Sequence, residues 1–173
     1  MHDKRITLRR LAAIAFAANL PLGATAPAFA QSDPIRIGLI LPMTGPFAST
    51  GRQVEAAAKL YMAQHGSTVA GRKVELIVKD DGGTADVTRR LAQELVVNDK
   101  VAVLAGFGLT PLALATAPIA TQSKTPMVVM AAATSSIIDA SPFIVRTSFT
   151  LPQATLGSAE WAPKNGIRKV VTL

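Results

Sequence analysis

The chain has 173 residues, with 18 Lys and Arg against 11 Asp and Glu, no Cys, and hydrophobic residues making up 49%. Without cysteine there is no disulfide or thiolate chemistry, and zinc centres lose their softest ligand. The formal charge is +7, and from residue 31 onward the charges are scattered rather than gathered into a basic block with interleaved aromatics, so no nucleic-acid partner is expected.

The first thirty residues read as a leader. MHDKRITLRR is basic, LAAIAFAANLPLGATA is apolar apart from Asn19 and Pro21, and APAFA puts small residues at Ala28 and Ala30 ahead of Gln31. That is the three-part layout of a secretory signal with an A-x-A-like cleavage site, and the apolar run is too short and broken for a membrane span. Arg9-Arg10 is compatible with twin-arginine export as well as the general route. The leader holds four basic residues and one acid, so the remaining 143 residues carry +4 and suit one domain.

IRIGLILPM, Ile35 to Met43, reads as a first strand, followed by a loop punctuated by Gly45, Pro46 and Gly51. In the helix VEAAAKLYMAQH, Val54, Ala57, Ala58, Tyr61 and Met62 recur at helical spacing and predict one buried stripe. Gly66 stops it. RKVELIVKDD is a second strand, and Gly82-Gly83 makes a tight loop. The helix ADVTRRLAQELVVND then turns Val87, Leu91 and Leu95 inward, with Asp86 suited to the positive end of its dipole. VAVLAGF is a third strand, followed by the helix PLALATAPIATQ. Pro111 suits its first turn, and Pro118 predicts a kink or early stop.

PMVVMA is a fourth strand. After the loop AATSS and a turn around Asp139 to Pro142, FIVRTS is a fifth. LPQATLGSAEWAPKNG reads as a helix interrupted near Pro163, and RKVVTL as the start of another strand. Alternating β and α elements with near-continuous apolar strands predict a doubly wound parallel α/β sheet covered on both faces. Ligands bind such sheets beyond the carboxyl ends of the strands. Those loops run from Pro42 to Gly51, Asp80 to Thr84, Gly106 to Thr110 and Ala131 to Ser136.

The stretch GFGLTP, Gly106 to Pro111, invites a phosphate reading that its residues do not sustain. It lacks the Gly-Lys-Ser/Thr end of a P-loop, and Pro111 stands where a dinucleotide fold needs its last glycine. Beyond the leader there is a single histidine, His65, so zinc sites and His-based triads have almost no material. Asp80-Asp81, the acidic pair of the second loop, is read as accepting backbone N–H groups there rather than as a metal site. No cofactor, metal or catalytic residue is predicted. Thr110 is placed to cap its helix, and Thr134, Ser135 and Ser136 follow the fourth strand in the same way. A helix N-terminus with a hydroxyl suits a carboxylate, and small residues Ala131 to Ala133 let a ligand reach the main chain; ordinary capping explains the same residues equally well.

IRIGLILPMTGPFASTG, VELIVKDDGGTADVTRRLAQELVVNDKVAVLAGFG, APIATQSKTPMVVMAAATSS and FIVRTSF together resemble the periplasmic substrate-binding proteins of ABC importers, of the leucine/isoleucine/valine-binding family. The resemblance implies a type I periplasmic-binding-protein fold, two α/β lobes closing on a ligand. It implies a periplasmic protein that is no enzyme and that delivers its ligand to an ABC permease in the inner membrane. It implies that the first lobe holds an amino acid or similar small carboxylate. The family's hydroxyl at the head of the third helix matches Thr110, with Leu109 as the rival if the register slips by one. The ligand loop matches Ala132 (carbonyl) and Thr134 (hydroxyl), and the first loop matches Thr50 with Ser49 beside it. Gly106 and Gly108 then clear the way to Thr110. Some relatives carry an acid where this chain has Leu151.

The expected division is a signal peptide over 1–30, a first ligand-binding lobe over 31–150, and a crossover with the start of a truncated second lobe over 151–173. A ligand-sensing lobe of a regulator and a nucleotide-binding α/β enzyme are the competing readings; export argues against the second. With half the cleft missing, the 173-residue chain alone should bind leucine weakly or not at all. Calorimetry should show no micromolar binding.

Overall fold

The computed structural model describes residues 33–171; the predicted signal peptide lies outside the described residues. Among the described residues, six strands form one sheet in the order β2-β3-β1-β4-β5-β6. They are β1 (Ile35–Leu41), β2 (Thr68–Val69), β3 (Arg72–Asp80), β4 (Val103–Gly106), β5 (Met127–Val129) and β6 (Ile144–Arg146). Among the described residues, four helices connect or follow them: α1 (Ala48–His65), α2 (Ala85–Val97), α3 (Thr110–Ser123) and α4 (Leu151–Lys164), with a short 3₁₀ helix at Ser135–Ala140. Pairs β1–β3, β1–β4, β4–β5 and β5–β6 are parallel, as the apolar runs predict.

Strand β2 is the exception. It pairs antiparallel with β3 across Ala70 and Gly71, whose φ angles of 49° and 76° are those of a tight hairpin turn. The two-residue strand lies between the helix stop at Gly66 and the strand starting at Arg72, a stretch to which the sequence reading assigns no element.

The sheet is packed unevenly. On one face Ile40, Leu104, Phe107, Met127 and Val129 meet Leu91, Ala92 and Leu95 of α2, Ala113, Ala117 and Ala120 of α3, and Ile137 of the 3₁₀ helix. Gly38 makes this possible, because a Cβ there would lie 2.8 Å from Leu95 Cδ1. The other face, Leu39, Leu41 and Ala105, is partly covered by Val54, Met43 and Met130.

Helix α1 departs from expectation twice. It starts at Ala48 rather than near Val54, because Gly51 lets its first turn pass the Pro42 carbonyl; a Cβ would sit 2.2 Å from that oxygen. Its buried stripe is also narrower than predicted: Val54, Ala58 and Met62 are half-buried, but Ala57 and Tyr61 face out, Tyr61 with 63% of its surface exposed.

Two prolines disturb their helices less than expected. α3 runs unbroken through Pro118 to Ser123, with Pro118 on its exposed side while Leu112, Ala113, Thr116, Ala117, Ile119 and Ala120 are buried. Tertiary burial outweighs one lost backbone bond. α4 passes Pro163 and ends at Lys164. The expected last strand does not form over its described residues: 168–171 have no regular structure, and Val170 and Val171 are 79% and 87% exposed. No neighbouring strand offers them a ladder, and a lone strand has no partner for its backbone groups.

The order of parallel strands reverses direction at β1. β3 lies on one side of it and β4 on the other, so the switch point falls between the β1–α1 and β4–α3 loops. Replacing Leu95, fully buried against Gly38, with Ala should cost about 2–5 kcal/mol in urea unfolding.

Candidate functional site

Strand β4 leaves the sheet through GFGLTP. The Phe107 N–H donates to the Ile40 carbonyl at 2.9 Å, one step beyond the β1–β4 ladder. Gly106 sits at φ 111°, and a Cβ on it would lie 2.1 Å from the same carbonyl oxygen. Only glycine meets both demands. Phe107 takes a left-handed φ of 65° and buries its ring completely. At Gly108 a Cβ would come within 2.8 Å of the Pro42 ring. The glycines therefore make room for β1 and its loop. Those contacts require glycine at both positions whether or not a ligand approaches Thr110.

The predicted cap also moves by one residue. Leu109, extended at φ −125° and ψ 145°, is the N-cap of α3, and its carbonyl accepts from Leu112 and Ala113 N–H, each at 3.2 Å. Thr110 is the first helical residue and does not cap. Its hydroxyl instead meets the Thr134 hydroxyl at 2.8 Å, across the gap between the β4–α3 and β5–β6 connections. Thr134 is the N-cap residue of the 3₁₀ helix but makes no side-chain cap bond. Two hydroxyls hold two protons, and their mutual bond uses one. The other can donate outward, and both can do so if the pair separates.

Ala132 is buried. Its N–H donates to the Phe107 carbonyl at 2.9 Å, while its own carbonyl accepts from Ser148 Oγ at 3.2 Å and Arg146 Nη1 at 3.3 Å. Ser49 and Thr50 are exposed in the first turn of α1, not on a loop; Ser49 Oγ accepts from Gln53 Nε2 at 3.1 Å. The structure thus joins Thr110 to Thr134 directly and ties Ala132 to their loop. Ser49 and Thr50 make no hydrogen bond to either threonine.

Sequence reasoning missed Arg146 and Ser148. Arg146 stands at the carboxyl end of β6 and donates to the carbonyls of Ala132, Thr134 and Phe149. The signal was available: a cation at the carboxyl end of a strand, on the rim where α/β sheets bind ligands.

The acidic pair behaves as a loop fastener. Asp80 Oδ1 accepts from the N–H groups of Met43 at 2.9 Å, Gly82 at 3.0 Å and Thr44 at 3.3 Å, and Oδ2 accepts from the Thr44 hydroxyl at 2.7 Å. The Thr44 hydroxyl, then the Gly82 N–H, hold its pKa below the ordinary carboxylate value. Asp81 is fully buried and accepts from Gly83 N–H at 2.7 Å through Oδ1, leaving Oδ2 without a partner; burial pushes its pKa up. Among the described residues, no group of three or more His, Cys, Asp and Glu gathers to hold a metal. An open depression lined by Arg90, Gln93, Glu94, Val97 and Asn98 lies toward the end of α2, remote from the rim where the helices begin.

The periplasmic binding protein family profile matches residues 34–173. The chain belongs to that family. It is 42% identical to Leu/Ile/Val-binding protein homolog 6 of Brucella abortus, over 98% of this chain and 42% of that protein. Among solved structures, it resembles a solute-binding protein of an ABC transporter from Rhodopseudomonas palustris in complex with 3,4-dihydroxybenzoic acid. The identity is 61% and the TM-score 0.76, over 78% of this chain and 37% of that one. A leucine-binding protein from Thermotoga maritima is 30% identical with a TM-score of 0.70, over 76% and 37% of the two chains. The chain thus spans about two fifths of the length of these periplasmic binding proteins.

The two aspartates pull stability in opposite directions with pH. Asp80, with a lowered pKa, contributes stability that is present above the ordinary value of 3.8 and lost as pH falls through its folded value. Asp81, with a raised pKa, contributes stability that is present below 3.8 and lost as pH rises through its folded value. Asp80→Asn should therefore flatten the acid limb of the stability–pH curve, and Asp81→Asn should not. Urea midpoints between pH 2.5 and 6 would separate the two.

Proposed function

We propose that this chain is the ligand-capturing lobe of an extracytoplasmic solute-binding protein that passes a small carboxylate to an ABC permease. The observation that carries the reading is the Thr110–Thr134 hydroxyl pair, 2.8 Å apart on the carboxyl rim of the sheet. Two threonine hydroxyls presented together can donate to the two oxygens of one carboxylate, and the start of α3 adds partial positive charge behind Thr110. Leu109 shapes the turn, Ala132 carries the loop, and Thr50 with Ser49 forms the edge nearest the β1–α1 loop.

Family membership supports transport over catalysis. The N-terminal basic, apolar and small-residue segments over 1–30 support export to the periplasm, by either export route. We assign residues 31–150 to the first lobe and residues from 151 onward to the crossover toward a second.

The ligand we favour is an aromatic acid of the hydroxybenzoate class. The relative seen with 3,4-dihydroxybenzoic acid shares 61% identity with this chain, the leucine-binding one 30%. A branched-chain amino acid is the second reading, supported by the curated Leu/Ile/Val-binding homologue.

In the full-length protein, Thr110→Ala and Thr134→Ala should each weaken 4-hydroxybenzoate binding by about 1.5–3 kcal/mol, the worth of a hydrogen bond to a charged group. Calorimetry measures it. Unchanged affinity in both variants would sink the site.

A further inference from the structure

Strand β3 runs along one side of the sheet with only the two-residue β2 beyond it. Main-chain groups along a strand point alternately to its two sides. In β3 the odd residues face β1: the Asp81 N–H, one step past the strand, donates to the Leu41 carbonyl at 3.0 Å. The even residues face outward, and the Val74 N–H donates to the Ser67 carbonyl at 2.7 Å. β2 covers this outer edge opposite Arg72 and Lys73, and Ser67 extends the cover to Val74. Among the described residues, nothing bonds the outward main-chain groups of Leu76 and Val78.

An open strand edge is a template for another chain. The stretch from Glu75 to Lys79, ELIVK, complements itself when two copies run antiparallel about a two-fold axis at Ile77. Leu76 then lies opposite Val78 of the second copy, as a hydrogen-bonded pair on each side of the axis. Glu75 lies opposite Lys79 of the second copy, again twice, and opposite charges so placed favour pairing. Both side chains are within reach of solvent, at 36% and 29% exposed, and their present partners are Arg36 at 3.6 Å, Lys73 at 3.3 Å and Glu94 at 2.8 Å. Other registers are poorer. An axis at Leu76 sets Lys79 against Lys73, and an axis at Val78 sets Glu75 against Asp81 and Leu76 against Asp80. In the favoured register, however, Asp80 of the second copy falls opposite Val74, in the place that Ser67 fills.

We infer that the β2 hairpin is a guard: by filling the place opposite Val74, it shuts the self-complementary edge of β3 against a second copy of this chain. The hairpin contributes little to the core. Thr68, Val69, Ala70 and Gly71 are all exposed, Val69 by 57%. It is nonetheless fastened, through the Ser67 carbonyl and through Arg72 Nε, which donates to the Asp33 carbonyl at 2.9 Å. A segment that is pinned down but buries no apolar side chain acts through the space it occupies. The role is independent of any ligand.

The test has two arms, both on the full-length protein. Amide hydrogen exchange on the unaltered protein reads the edge itself. The Leu76 and Val78 amides should exchange faster than those of Val74, Ile77 and Lys79; equal protection would mean that the edge is covered, and would overturn the inference without any variant. The second arm replaces Ser67 to Gly71 with a longer, flexible Gly–Ser linker and follows self-association by sedimentation velocity. The linker protein should dimerise more tightly than the parent, by about tenfold or more. In the linker background, Glu75→Lys and Lys79→Glu should each abolish the dimer, because each sets like charges opposite one another. Mixing the two should restore a dimer, because every contact then joins opposite charges. A linker protein whose circular dichroism matches the parent but which stays monomeric would overturn the guard. A dimer indifferent to both charge changes would overturn it as well, since the guard is argued for this register.

Discussion

The backbone bond from Phe107 N–H to the Ile40 carbonyl, 2.9 Å long, organises everything on the rim. It carries the β1–β4 ladder past the last residue of β4, and it demands the glycine at 106. The Phe107 carbonyl then accepts from Ala132, and the Gly106 carbonyl from Met130 at 2.8 Å. Strand β1 and the connections after β4 and β5 are thus tied together by main-chain bonds. Side chains at 110 and 134 inherit their separation from this frame. A site built from two short hydroxyls needs such a frame, because threonine has little reach with which to correct an error in the backbone.

The same economy appears in the electrostatics. Asp80 binds the β1–α1 loop to the β3–α2 loop through four donors, and so stays ionised and fully used. Arg146 binds the ligand loop through carbonyls and spends no carboxylate. The acid is held by backbone and hydroxyl donors, the base by backbone carbonyls.

Much of this was legible in the sequence, for physical reasons. Apolar strands such as IRIGLIL and VLAG are buried on both faces, so their parallel pairing followed from composition. Val87, Leu91 and Leu95 kept their period and their burial. Thr110 and Thr134 were singled out as hydroxyls beside helix starts, where capping and carboxylate binding use the same groups. What could not be read depended on approach distances. Gly51, Gly106 and Gly108 owe their identity to the Pro42 and Ile40 groups beside them, which no local pattern encodes. The β2 hairpin was too short to show a period, and the outward turn of Ala57 and Tyr61 depends on what lies over α1. Arg146 escaped because its partners are carbonyls, which carry no sequence signature.

The account stands or falls on where a bound carboxylate lies. A crystal structure of the full-length protein with 4-hydroxybenzoate measures this directly. The account predicts the two carboxylate oxygens within about 2.7–3.2 Å of the Thr110 and Thr134 hydroxyls. A carboxylate elsewhere in the cleft, with the two threonines still bonded only to each other, would contradict it.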